Sequence, residues 1–412
     1  MTITTDRPAT VRTVSAARLS FTTDRAALAD ALTTVGLVVP KRPPLPILGG
    51  VLLQARNGHL TVSATDYETA VTVRVPGAVQ AAGTVLVDHS ELIRLLGALV
   101  KGSRKRDADA LPVTVRILDD GTAVVDLAGY TMPVTSFPAA DYPTIPDVAR
   151  PVASVERKRF TQEMARVMIA VGTDDTVPML TGINLKITAD AVTLAATDRY
   201  RLAIAPLPAK STGRTVQTAS ALVPGHLVAP VVKRFGGDRV HLGFDDAASP
   251  SVVSLACGDV IVSVRTLDAE MPPYQTFIPE TAAGTVQTGR AALLAATRRA
   301  AAVLDAKRDR DGHIVLTVTR ESLSVAPVLG HHADAVAAPE QAATVDGITD
   351  PAAFWFKPAY LADALTSFTG ETVTLHTQTT VTRPVLLTDT PDGINDRAAF
   401  CHVIVPVRAP QD

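Results

Sequence analysis

Pro46-Ile47-Leu48-Gly49-Gly50-Val51-Leu52-Leu53 and Pro178-Met179-Leu180-Thr181-Gly182-Ile183-Asn184-Leu185 are two versions of one phrase. Each has a proline, an apolar pair, a glycine and then a strand-like apolar run. They stand 132 residues apart (178 − 46). The same offset carries Ala64-Thr65-Asp66 onto Ala196-Thr197-Asp198. An offset of 133 (279 − 146) relates FPAADYPTIP, ending at Pro146, to the AEMPPYQTFIP stretch that ends at Pro279. Three separate matches at nearly one spacing mean that a domain has been duplicated.

A fainter third copy keeps the same order of elements. Each copy opens with a helix whose apolar residues recur at helical spacing: Leu28, Leu32 and Val35; Phe160, Met164, Val167 and Val171; Leu293, Leu294, Ala301 and Leu304. Short alternating strands follow, such as 59–63 and 191–194. A second helix is expected over 88–100, 224–235 and 357–368. Asp88 and Glu91 are spaced as a variant capping box, and Gly236-Gly237 and Gly370 serve as stops. The expected fold is α+β. A leader at 1–17 precedes three tandem similar domains at 18–147, 150–280 and 284–408, each with two helices on antiparallel sheet.

The chain has 412 residues, 47% hydrophobic and 19% charged, which is too long for one ordinary core and is globular in composition. No apolar run is long enough for a membrane helix, and the first twenty residues lack the apolar core of a secretory signal. The leader is expected to be mobile. Cys257 and Cys401 lie far apart in strand-like surroundings and read as small core residues rather than a disulfide, which points to the cytoplasm. A net charge of −2 gives no bulk attraction to nucleic acid, so any such contact needs a local basic surface.

The phrases KRPPLPILGGVLL (41–53), ATDYE (64–68), FPAADYP (137–143), PMLTGINL (178–185), ATDRYRLA (196–203) and HVIVPVRAP (402–410) together resemble the beta subunit of bacterial DNA polymerase III, the sliding clamp. The TDRYRLA and PMLTG forms are similar to its actinobacterial branch. The resemblance covers nearly the whole chain after the leader. It implies a DNA-clamp fold closed as a head-to-tail dimeric ring, with helices lining the hole and sheet outside. It also implies sequence-independent binding of duplex DNA, and peptide-mediated binding of the polymerase alpha subunit, the clamp loader and other polymerases or repair proteins. No cofactor is implied.

The resemblance places a peptide-binding pocket between domains two and three, with walls at Leu180, Thr197, Arg201, Leu202, Pro272, Phe277, Val405, Pro406, Val407 and Arg408. Without it, Leu180, Leu202 and Phe277 fit ordinary core packing better. Two departures stand out: the family has a methionine where Val405 stands and a leucine where Ala409 stands. Val is shorter and stiffer than Met. The change is expected to alter affinity for partner peptides or for inhibitors of the same pocket, as in a second clamp copy that tolerates an inhibitor.

Contacts to DNA phosphates are implied for Lys41, Arg42, His89, His226 and Lys357. The family often carries lysine where His226 stands, and neutral histidines would loosen the grip. The basic run 101–106 reads instead as a solvated loop. The ring interface would join Met132 and Val134 to Ala302 and Val303, although these also fit as core.

Enzymatic readings find no support. There is no HExxH, no paired Cys/His spacing, no GxSxG elbow and no phosphate-binding glycine loop, so neither a metal nor a catalytic residue is expected. His331-His332 lacks acidic ligands at helical spacing. Asp66 and Asp198 read as turn formers through Asx hydrogen bonds rather than as a carboxylate pair.

Overall fold

Gly50 and Gly182 show why the repeated phrase is fixed. A Cβ on Gly50 would lie 2.8 Å from Leu86 Cδ1, and one on Gly182 would lie 2.5 Å from Leu222 Cγ. Each glycine opens a strand, Gly50–Arg56 or Gly182–Ile187, at the point where a neighbouring strand's leucine crosses it. The computed structural model describes residues 19–409, except 57, 175, 214–217, 247–248, 310 and 331–335. The expected leader and His331-His332 lie outside the described residues.

The chain forms two compact units divided between Pro146 and Asp147. In the first, one antiparallel sheet runs in the order Ala78–Ala81, Ser20–Asp24, Pro112–Ile117, Ala123–Leu127, Tyr130–Pro133. A second set runs Ser136–Phe137, Gly83–Asp88, Gly50–Arg56, His59–Thr65, Thr69–Val75. Helix α1 (Arg25–Val35) buries Leu28, Leu32 and Val35 completely, as their spacing predicts.

Helix α2 (His89–Ala98) starts where Asp88 Oδ1 accepts from the Glu91 N–H at 2.7 Å. The capping box is not closed reciprocally. The Asp88 N–H donates to Thr135 O, and the Glu91 carboxylate accepts from the Thr135 N–H at 2.8 Å. Both groups are thus spent on the adjoining chain. The run expected to be a solvated loop ends in a short helix α3 (Lys105–Asp109), held by an ion pair between Arg25 and Asp109.

In the second unit, strands Pro151–Glu156, Arg239–Phe244, Val252–Cys257 and Val260–Arg265 form one antiparallel set. A twelve-stranded sheet runs from Ala219–Pro224 through Gly182–Ile187, Ala191–Thr197 and Arg201–Pro208, crosses to Cys401–Ile404, and continues to Ala352–Phe356. At that crossing Arg201 pairs with Ile404 and Leu202 with Val403, so one continuous sheet holds the unit together.

The unit's helices are α4 (Arg157–Met168), α5 (Pro178–Thr181), α6 (Gly225–Val232), α7 (Arg290–Ala306) and α8 (Pro358–Thr366). The second helices start where expected and end earlier. In α7 the buried stripe is Leu293, Ala296, Thr297, Ala300 and Leu304, so Leu294 and Ala301 are only half-buried. Val171 lies past the end of α4.

Arg166 ties α4 to the C-terminal part of the unit. It pairs with Glu163 at 3.1 Å, donates to Ser367 O and stacks 3.4 Å over the Phe400 ring. No helix is long and apolar enough to cross a membrane among the described residues.

Candidate functional site

The Ala-Thr-Asp phrase builds the same turn twice. Thr65 Oγ1 accepts from the Tyr67 N–H and donates to Thr69 O; Thr197 Oγ1 accepts from the Arg199 N–H and donates to Arg201 O. Asp66 and Asp198 each accept two backbone N–H bonds across the turn, which is the Asx role their position predicts. Tyr67 and Arg199 both sit at φ +81°, a left-handed conformation that costs a side-chain-bearing residue about 1 kcal/mol or more. In the second copy this turn forms the rim of a cavity.

That cavity has a volume of about 340 Å³ and is lined by Met179, Leu180, Thr197, Arg199, Arg201, Leu202, Pro272, Tyr274, Phe277, Pro384, Val403 and Val405. It straddles the junction between strands Arg201–Pro208 and Cys401–Ile404. Its floor belongs to a buried cluster of Ala195, Leu202, Ile204, Tyr274, Leu386 and Val403. Phe277 stands at the mouth, 55% exposed.

Arg201 is fixed from three sides. Its Nε donates to Asp198 Oδ2 at 2.8 Å, Nη1 donates to the Asp363 carboxylate, and the guanidinium lies 5.0 Å from the centre of the Tyr360 ring. Tyr200 stacks on Tyr360 at 5.6 Å, a second exposed aromatic surface beside the cavity. Burial raises the Tyr274 and Tyr360 hydroxyls above the ordinary tyrosine range, and the nearby Asp198 carboxylate adds to the rise at Tyr360. The site therefore combines apolar anchoring surface with a few oriented polar groups and no poised acid or base. Among the described residues, no group of three or more His, Cys, Asp or Glu is placed to hold a metal.

Seven of the expected wall residues line this cavity: Leu180, Thr197, Arg201, Leu202, Pro272, Phe277 and Val405. Pro406, Val407 and Arg408 do not. Side chains alternate along an extended chain, so Val403 and Val405 face the cavity while Pro406 is buried elsewhere. Val407 forms a bridge to Trp355, its N–H donating to Trp355 O at 2.8 Å, and Arg408 is exposed. Met179, Arg199, Tyr274, Pro384 and Val403 complete the lining. Period-two spacing from Val405 marks Val403, and the 132-residue offset from Tyr142 marks Tyr274. Pro384 comes from a distant loop and carries no such signal.

The expected phosphate contacts separate. Lys41, Arg42 and His226 are exposed, and Lys357 Nζ lies 4.0 Å from Asp311. His89 is not free: its Nε2–H donates to Leu32 O at 2.9 Å, and the ring fills the space beside Gly36 where a Cβ would stand. Of the expected interface residues, Val134 is buried just past the end of the edge strand Tyr130–Pro133, and Met132 is half-buried on that strand. Ala302 and Val303 are exposed on α7, Val303 by 40%.

Residues 19–146 match the family model for the N-terminal domain of the DNA polymerase III beta subunit, and residues 154–273 match the model for its central domain. The beta sliding clamp of Streptomyces coelicolor is 30% identical over 389 residues, covering 93% of this chain and 98% of that protein. A beta sliding clamp homolog named GriR, from Streptomyces muensis, is 30% identical over 352 residues, covering 85% and 88%. The crystal structure of the DNA polymerase sliding clamp from Caulobacter crescentus superposes with a TM-score of 0.78 at 22% identity, covering 95% of this chain and all of that one.

Proposed function

Because the chain belongs to the beta sliding clamp family of DNA polymerase III, we propose that two copies join head to tail into a ring around duplex DNA and carry the polymerase along it. Its fold is the clamp fold. Each copy contributes three domains, at 18–147, 150–280 and 284–408, and the ring works in the cytoplasm on the nucleoid. The clamp does no chemistry. It acts by topology and by presenting a docking site.

The observation that carries this reading is the cavity at the strand junction. An apolar, preformed cleft with an exposed phenylalanine at its mouth suits an extended partner peptide with apolar anchors. Partners of this kind are the polymerase alpha subunit, the clamp loader and other polymerases or repair proteins. Ring closure uses the edge strand Tyr130–Pro133, Met132 included, against the exposed α7 face at Ala302 and Val303. A heterologous contact that closes by rotation gives a finite ring and covers sheet edges. Lys41, Arg42, His226 and Lys357 meet phosphates without reading bases. His226 lies in the first turn of α6 and Lys357 caps α8, where backbone N–H groups add to the attraction. The proposal is tested by asking whether loaded protein stays on a DNA circle and leaves a cut one.

A second reading, a clamp copy that tolerates a clamp-directed inhibitor, is favoured by Val405 lining the cavity where the family has methionine. Val405→Met restores one or two methylene-sized groups of contact, each worth about 0.8 kcal/mol. A large multi-anchor inhibitor is expected to bind that variant up to about tenfold more tightly, with little change for a short polymerase peptide. Titrating both ligands against both proteins decides the matter. Parallel shifts, or none, remove this second reading.

A further inference from the structure

Past Phe277 the surface opens again. A second groove of about 350 Å³ shares Phe277 and Pro384 with the cavity and continues over Gln378, Thr379, Thr380 and Arg383. The two depressions have a common wall, so a chain anchored in the first can run over Phe277 into the second. Their chemistry differs. The cavity is almost wholly apolar, whereas the groove mixes apolar wall with the hydroxyl, amide and guanidinium groups of its threonines, Gln378 and Arg383.

Arg383 is the only charged residue among those lining the groove, and its side chain is exposed. No carboxylate lines it; Glu280, next in sequence to the lining Pro279, is not part of the wall. In the cavity, by contrast, Arg201 is already neutralised by Asp198 and Asp363. Arg199, exposed at the rim of the cavity, is one cation within reach of a guest, and Arg383 is the one that lies past the aromatic ridge.

From this we infer that the groove takes the flank of the same partner peptide, and that Arg383 selects partners with an acidic residue beside their apolar anchors. The inference rests on the cavity being the peptide site. It adds a specificity determinant outside the apolar anchor sites. Because the pair forms at an exposed rim, its effect is a preference rather than an absolute requirement.

The test uses the full-length protein and fluorescence anisotropy with an apolar-cored peptide copied from the cognate polymerase. The peptide is extended, at one end or the other, by three aspartates, three serines or three lysines. At one end, wild-type protein is expected to hold the aspartate form about three- to fivefold more tightly than the serine form, the range of an exposed ion pair. Arg383→Glu should transfer that preference to the lysine form and leave the serine form unchanged. Equal binding of all three flanks at both ends overturns the inference while the cavity reading stands. So does an Arg383→Glu variant that also loses the serine form. If no peptide binds wild-type protein, the cavity reading falls and this inference falls with it.

Discussion

Phe277→Asp is expected to weaken capture of a polymerase-derived peptide by two orders of magnitude or more. Two effects add. The variant removes an aromatic anchor, worth about 1.5–3 kcal/mol when covered by a guest. It also places a carboxylate where the guest would strip it of water, at several kcal/mol without a partner. At about 1.4 kcal/mol per decade the sum exceeds a hundredfold. Phe277 suits this test because it is largely exposed at the mouth, so its loss leaves the core intact. Leu180→Asp should abolish binding too, but Leu180 is only 6% exposed and its replacement also strains the fold. Anisotropy titration beside a urea melt separates binding from folding. Normal peptide affinity in a folded Phe277→Asp protein would show that the cavity is not the docking site.

A steep loss of stability below pH 6.5 is the second large effect. His376 and His402 are completely buried. Ser367 Oγ donates to Ala364 O and so accepts from His402 Nδ1–H; Thr388 Oγ1 donates to Thr390 O and so accepts from His376 Nε2–H. The other ring nitrogens, His402 Nε2 and His376 Nδ1, have no partner among the described residues. A second proton would have no acceptor in either place. Burial lowers His376 to about 4 and His402 to about 3, and the nearby Arg201 and Arg166 guanidiniums add to the fall at His402.

The direction follows from these depressed values. Between pH 6.5 and about 4 the unfolded chain takes up protons that the folded chain refuses, so stability falls as pH falls. Each histidine's contribution approaches about 1.4 kcal/mol per pH unit below pH 6, and the pair amounts to about 3 kcal/mol between pH 6.5 and 5. Glu163, whose carboxyl is raised by burial, works in the opposite sense within its own titration range. Urea unfolding at pH 7, 6 and 5 measures the slope, and His376→Asn should remove about half of it. A flat profile would mean that these histidines are not held neutral.

The parts of the fold legible in the sequence are those where backbone geometry dictates the residue. Gly50 and Gly182 are fixed by a crossing leucine, and Thr65-Asp66 and Thr197-Asp198 by a left-handed turn, so the duplication shows through. Helix α7 was harder to phase because an alanine-rich helix offers little contrast between its faces. At the site, residues inside the repeated phrases could be placed. Pro384 could not, because it arrives from a loop 204 positions away from Leu180 (384 − 180). His89 illustrates the converse: a polar residue at a helix start reads as a surface contact, while a neighbouring carbonyl in space has already claimed it. Arg383 has no sequence signal at all. Its meaning comes only from the groove beside the cavity.

Retention on DNA tests the central claim most directly. Protein loaded onto a nicked circular plasmid is expected to remain through gel filtration and to be released when a restriction enzyme linearises the circle. Direct, unloaded binding should weaken steeply with salt because it involves phosphates alone. Equal retention on circular and linear DNA would contradict a ring that holds DNA by encirclement.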